Sequence, residues 1–263
     1  MHKINEFSQK ETLVKTETST TTKNTMLIEQ KCIVVLNYVS CGKTALSRQM
    51  FKPAMNAEIV SIETINKDGA QGDAMSADKF RESMQKVEFH RDVEDKSVIV
   101  DVGVSNVELF LSKMKAEYAF DDFDLFFVPI TPDDKVISNS IAFLNDLSAL
   151  YKIPANKIRV IFNKMPVDED VRKIYAPIFK YHENEGQKFT ILSGAVVHES
   201  ASFPMIGLED LRKAAESTTD LRAAMKAAKS PDELAAISNA RAVRRMAPFV
   251  VAELNSVAKI LLA

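Results

Sequence analysis

Hydrophobic and polar positions fall along the chain in blocks that predict strands and helices in turn. Residues 32–36 are apolar and β-branched and read as a buried strand. A short polar turn follows. A helical pattern then runs over 43–51, where Pro53 is expected to end it. Residues 58–63 read as a second strand. Next come a polar loop, 64–72, with Asn66, Asp68 and Gly69, and a helix over 77–87 with Ser76 as its N-cap. The run Ser97-Val98-Ile99-Val100 is a third strand and feeds directly into Asp101-Val102-Gly103. An amphipathic helix over 107–119 and a buried strand over 124–130 come next. They are followed by a helix over 135–151 that lines up Ile137, Ile141, Leu144 and Leu147. A strand over 157–162 leads into Asn163-Lys164, a helix covers 170–181, and a last short strand covers 189–192, with 193–203 as a loop. Strands alternating with helices predict an α/β fold, a doubly wound, mostly parallel sheet with helices on both faces. Right-handed crossovers then put the turn after the first strand, Asp101 and Asn163 on one rim.

Both ends of the chain depart from this alternation. Residues 1–25 are polar and include a Thr/Ser-rich run at 16–22, so they read as a disordered tail, with Met26 as an alternative start. After Pro204 the composition turns helical, over 208–225 and again over 231–262, where Pro231 follows Ser230 as a first helical residue. The expected division is a tail (1–25), an α/β domain (26–207) and C-terminal helices (208–263) packing on it. The apolar face of 249–262 reads as docked on the sheet rather than laid on a membrane, because it lacks a rich basic flank. Arg241, Arg244 and Arg245 are spaced three and four apart and share a helical face. They read either as a solvated face or as a weak, nonspecific contact to a DNA backbone.

Composition narrows the classes without naming one. A chain of 263 residues suits one large α/β domain with a helical appendage, and 46% hydrophobic with 27% charged residues is ordinary for a globular protein. A net charge of −2 gives no overall attraction to nucleic acid, so any such contact needs a local patch. Cys32 and Cys41 make no disulfide framework, which fits a reducing, cytoplasmic setting. The four histidines show no metal-ligand spacing, and no run is apolar and long enough to span a membrane.

The candidate chemistry lies in the turn after the first strand, Asn37-Tyr38-Val39-Ser40-Cys41-Gly42-Lys43-Thr44, running into Ala45. Strand, polar loop, Gly-Lys-Thr and helix is the layout of a phosphate-binding loop. Backbone N–H groups there meet phosphate oxygens, Lys43 reaches the β- and γ-phosphates, and the Thr44 hydroxyl holds Mg²⁺. The full pattern is G-x-x-x-x-G-K-[ST], and Asn37 stands at its first glycine; Asn tolerates left-handed backbone better than most residues. The alternative is a plain strand-to-helix turn. Asp101, closing an apolar strand, has the place of a Walker B aspartate that orders Mg²⁺ through water, with Gly103 leaving room beside the γ-phosphate.

Taken in order, NYVSCGKT, VIVDVG, DLFFVPITP, VIFNK and FTILSGAVVHES resemble the ParA/MinD-type P-loop ATPases, and among them the plasmid-stability StbB (TraL-like) proteins most. The resemblance covers about 31–203. It implies an ATP- and Mg²⁺-dependent ATPase in plasmid stability, partition or conjugative transfer, forming a homodimer and working beside a separate DNA-binding protein, with nucleoid association. It also implies that Asn163, with Lys164, meets the purine. An amide offers donor and acceptor, and Pro166 stands where a guanine-specific site would need Asp, so adenine is expected. Two places depart from the family pattern. Tyr38 stands where these ATPases carry a lysine that crosses to the partner's nucleotide. Glu63 and Ile65 stand for a D-x-D pattern, which leaves Glu63, or Asp68 on the following loop, to orient the attacking water beside Lys43 and Asp101. A nucleotide-binding adaptor with little hydrolysis is the second reading, and an ATP-dependent ligase of the dethiobiotin-synthetase type the third.

Overall fold

The computed structural model describes residues 30–63, 77–207 and 209–263. The tail, Met26, Ile65, Asp68, Ser76 and the whole of the loop expected over 64–72 lie outside these residues.

Among the described residues six strands form one sheet: β1 (Cys32–Val35), β2 (Glu58–Ile62), β3 (Val98–Val102), β4 (Leu125–Ile130), β5 (Ile158–Met165) and β6 (Val196–His198). Their order is β2-β3-β1-β4-β5-β6, and every pairing is parallel. Parallel pairing buries both faces, and residue alternation divides β1 between them. Cys32, Val34 and Leu36 pack on one side with α3 (Ala77–Glu88), α4 (Val107–Ala116), α5 (Asp134–Asn145) and α7 (Ala176–Asn184). Ile33 and Val35 pack on the other, under the helix that follows the turn after β1 and under α11 (Pro231–Leu262). This is the expected doubly wound α/β architecture. The chain moves outward from β1 to β2, returns through β3, and crosses to β4 on the other side. The crevice at that reversal is the turn after β1.

Several expected boundaries move, each for a local reason. The helix after the loop does not stop at Pro53. It runs as α1 (Lys43–Leu46), a π-helical turn (Ser47–Phe51) and α2 (Lys52–Met55), ending at Asn56 with φ 48°. Proline cannot bond the carbonyl four residues back. That carbonyl belongs to Gln49, and the Arg212 guanidinium donates to it instead at 2.6 Å. The expected strand at 189–192 contributes only one bridge, Thr190 to Arg159. The edge strand is β6, inside the stretch expected to be a loop. Gly194 turns at φ 85°, and the β-branched Val196 and Val197 then reach β5. The expected helix over 170–181 breaks at Tyr175 into α6 (Val171–Ile174) and α7. The Tyr175 side chain turns into the core, where its hydroxyl donates to the carbonyls of Ile130 and Asn163.

Beyond β6 lie α8 (Ser202–Ile206), α9 (Leu211–Glu216), α10 (Leu221–Ala227) and α11. The far half of α11 docks on the sheet through Val250, Leu254, Val257, Ala258, Leu261 and Leu262, all buried. Its near half is largely exposed.

Candidate functional site

The loop after β1 is shaped at its far end by Gly42, the residue preceding α1, with φ 83°. A side chain is excluded there twice over. The backbone is left-handed, and a Cβ would come within 2.6 Å of the Asn163 amide nitrogen. No side chain caps the helix and no acid occupies its first turn, so its leading N–H groups face the loop without a competing carboxylate. The loop's near end is Asn37, fully buried, and its φ is not positive. The expectation that Asn stands there for its tolerance of left-handed backbone is therefore corrected.

Lys43 is buried, and its ammonium donates to the carbonyls of Val39 at 3.0 Å and Asn37 at 3.3 Å, strapping the loop across its mouth. Burial lowers its pKa, and the nearby Cys41, Asp101 and Glu63 work against that shift. Asp101 lies within β3, 2% exposed, and neither carboxylate oxygen has a hydrogen-bond partner of good geometry. Burial raises its pKa, while the Thr44 hydroxyl, Lys43 and Arg48 draw it down less strongly. A buried carboxylate with two orphaned oxygens beside a threonine hydroxyl is a costly arrangement without a cation. This donor set of hard oxygens fits Mg²⁺.

The other expected residues gather on the same rim. Glu63 follows β2 and is exposed, but its charge reaches both Lys43 and Asp101. A Cβ on Gly103 would sit 3.2 Å from the Ile62 carbonyl and 3.3 Å from Glu63 Cγ, so the glycine makes room for β2 and Glu63. Asn163 and Lys164 lie within β5, not after it, at an irregularity where the pairing with β6 shifts. Lys164 adopts φ 55°, and its side chain is exposed near Cys41. Left-handed backbone at a non-glycine residue is strain of the kind found at functional sites. The Asn163 amide nitrogen donates to the Cys41 carbonyl at 2.8 Å. The Cys41 thiol is pushed up to about 11 by burial, so it is no nucleophile at neutral pH. Ser40 is exposed, Val39 and Ala45 half-buried. Tyr38 hydrogen-bonds Asp146, so its hydroxyl is already engaged within the chain.

The three arginines of α11 do not act alike. Arg241 and Arg245 are exposed, but Arg244 is half-buried and donates to the carbonyls of Thr219 at 2.7 Å and Ser217 at 3.4 Å. The expected three-arginine stripe is therefore corrected to a pair, because Arg244 closes the end of the α9–α10 connection. Sequence reading missed Arg212 and Ser140, which support the helix after the loop and the loop itself. Neither stands in a motif, and only the tertiary fold gives them partners.

No protein-family model matches the chain, and no curated protein matches it. Among solved structures it is similar to the MinD cell division protein of Aquifex aeolicus, with a TM-score of 0.46 and 13% identity, over 81% of this chain and 96% of that one. The MinC:MinD cell division protein complex of the same organism gives 0.47 and 13%, over 81% and 95%. Neither likeness bears on what this chain binds. The architecture itself is a doubly wound, parallel α/β fold with a helical C-terminal part. Among the described residues no helix is long and apolar enough to cross a membrane.

Proposed function

We propose that the chain is a nucleotide-dependent ATPase of the ParA/MinD type, binding ATP with Mg²⁺ on the rim formed by the loop after β1, Asp101 and Asn163. The observation that carries this reading is Asp101: a buried carboxylate with two unpartnered oxygens, beside Thr44 and across from the lysine of a phosphate loop. Thr44 and Asp101 would hold the metal, which supplies charge neutralisation at the phosphates. Backbone N–H groups from Val39 to Ala45 and the Lys43 ammonium bind phosphate oxygens, Lys43 by exchanging loop carbonyls for them. Glu63 orients water, and Asn163 with Lys164 flanks the base.

The finer reading is a role in plasmid stability, partition or conjugative transfer, in the cytoplasm or on the nucleoid, as a homodimer with a separate DNA-binding protein. It rests on the motif resemblance, and on Arg241 and Arg245 as two neighbouring exposed cations of α11. One observation favours the second reading, an adaptor that hydrolyses little. Tyr38, at the place of the crossing lysine, is tied to Asp146 of its own chain.

Calorimetric titration tests the site. Wild type should bind ATP more tightly than GTP, in a Mg²⁺-dependent way, and Lys43→Ala should lose about tenfold or more in affinity. Equal affinity of the variant and wild type would sink the phosphate-loop reading. Phosphate release with and without DNA separates the ATPase from the adaptor.

A further inference from the structure

The near end of the phosphate loop is fastened in a way that a glycine there would not allow. As β1 leaves the sheet, its ladder with β4 ends at the bond from the Leu36 N–H to the Phe127 carbonyl, 3.1 Å. The next bond of a parallel ladder would run from residue 129 to the Leu36 carbonyl, but Pro129 has no N–H, and the rung after it would run from the Tyr38 N–H to the Pro129 carbonyl. The Asn37 side chain takes that rung, its amide nitrogen donating to the Pro129 carbonyl at 2.9 Å. The same nitrogen donates to the Ser140 hydroxyl of α5, also at 2.9 Å. Asn37 and Ser140 are both fully buried. One residue on, the Tyr38 ring meets Phe143 edge-on at 4.4 Å, and its hydroxyl donates to an Asp146 carboxylate oxygen at 3.2 Å. Ser140 and Phe143 belong to α5, and Asp146 opens the π-helical turn that continues it (Asp146–Leu150).

We infer that Asn37 and Tyr38 are positioning residues, which moor the first turn of the phosphate loop to α5 and to the end of β4 and so hold it in the shape that receives phosphate oxygens. The inference rests on the phosphate-site reading and adds a role to it. Asn37 stands at a glycine place because its side chain carries a rung that the turning backbone has given up. Tyr38 serves its own subunit, where the family pattern has a lysine reaching out. The loop is thus held at both ends by asparagine, Asn37 at the start and Asn163 through the Cys41 carbonyl at the close.

The mooring makes an unusual forecast: restoring the glycine of the motif, Asn37→Gly, should harm the site. Amide hydrogen exchange over 38–44 in the nucleotide-free protein should speed up, while protection of β3 holds. Calorimetry should show about tenfold weaker ATP binding. Asn37→Ala should lose as much, which separates the lost rung from glycine flexibility. Ser140→Ala and Tyr38→Phe are milder changes that leave the loop backbone untouched, and each should give a loss of roughly two- to fivefold with faster exchange in the same segment. Should Asn37→Gly match or exceed wild type in ATP affinity with loop exchange unchanged, the mooring is overturned. The same holds if Ser140→Ala and Tyr38→Phe both leave exchange over 38–44 unaltered. If wild type binds no ATP, the functional reading falls by itself, and the exchange measurements still decide the mooring.

Discussion

Beneath α11 the chain buries apolar side chains against apolar side chains; around the turn after β1, a few residues along the same strands, it buries polar ones and leaves some without partners. Ile33 and Val35 of β1 share one buried apolar cluster with Leu254, Val257 and Leu261 in the first region. In the second, Asn37 Oδ1, Ser47 Oγ and both oxygens of Asp101 lack a hydrogen-bond partner. The first arrangement stabilises the fold, and the second costs stability that a bound ligand can return. Substitutions on the two sides should therefore have effects of opposite sign.

The largest expected effect is on the apolar side. Leu254→Ala leaves a cavity under α11 and should destabilise the protein by about 2–5 kcal/mol in urea unfolding. ATP affinity of the folded fraction should be unchanged. A loss below about 1 kcal/mol would mean that the helix is loosely seated. On the polar side, Asp101→Asn should do the reverse, stabilising the nucleotide-free protein by on the order of 1 kcal/mol and removing the Mg²⁺ dependence of nucleotide binding. Its pH dependence sharpens the contrast. Burial raises the Asp101 pKa in the fold, so the native state holds its proton longer than the unfolded chain does. The stabilisation from that proton is present below the ordinary carboxylate range and is lost as pH rises through the folded value. Urea unfolding across that window should show wild type losing more stability than Asp101→Asn. Parallel curves would take Asp101 out of the costly set.

The smallest effect lies within α11 itself, which contains both kinds of region. Removing Arg241 and Arg245 should lower the salt slope of any DNA binding by about 0.9 for each phosphate they no longer neutralise. Arg244→Ala should leave the slope alone and cost stability on the order of 1 kcal/mol, since its guanidinium holds two carbonyls of its own chain. Fluorescence anisotropy over a salt series reads the first, and thermal unfolding the second. A slope that responds only to Arg244 would reverse the assignment.

The sequence showed the sheet better than its edges. β1 and β4 are β-branched or aromatic runs buried along their whole length, and such runs are legible without neighbours. β6 was missed because three residues at an edge carry little pattern, whereas the nearby Phe189 looks like a strand but packs as a core side chain. Gly42 was legible as a turn position because a left-handed residue just before a helix selects glycine. Asn37 was legible as a departure but not in its role, which depends on Pro129 and Ser140 some hundred residues away. Arg244 was misjudged for a related reason. Helical spacing gives a face, but what faces it comes from the rest of the fold.

The bond from Arg212 to the Gln49 carbonyl has a consequence for the order in which the molecule is made. Residues 49 and 212 are separated by 163 positions. The Gln49 side chain also reaches forward, to the Glu209 carbonyl and the Leu211 N–H. Arg212 in turn grips the Asn255 side chain. During synthesis the turn after β1 and the helix behind it leave the ribosome early, but the guanidinium that bonds the Gln49 carbonyl arrives only with residue 212. The newborn loop and its helix thus wait on a distant part of their own chain, and a nascent polypeptide arrested at residue 207 would display Gly42-Lys43-Thr44 above an unfinished floor.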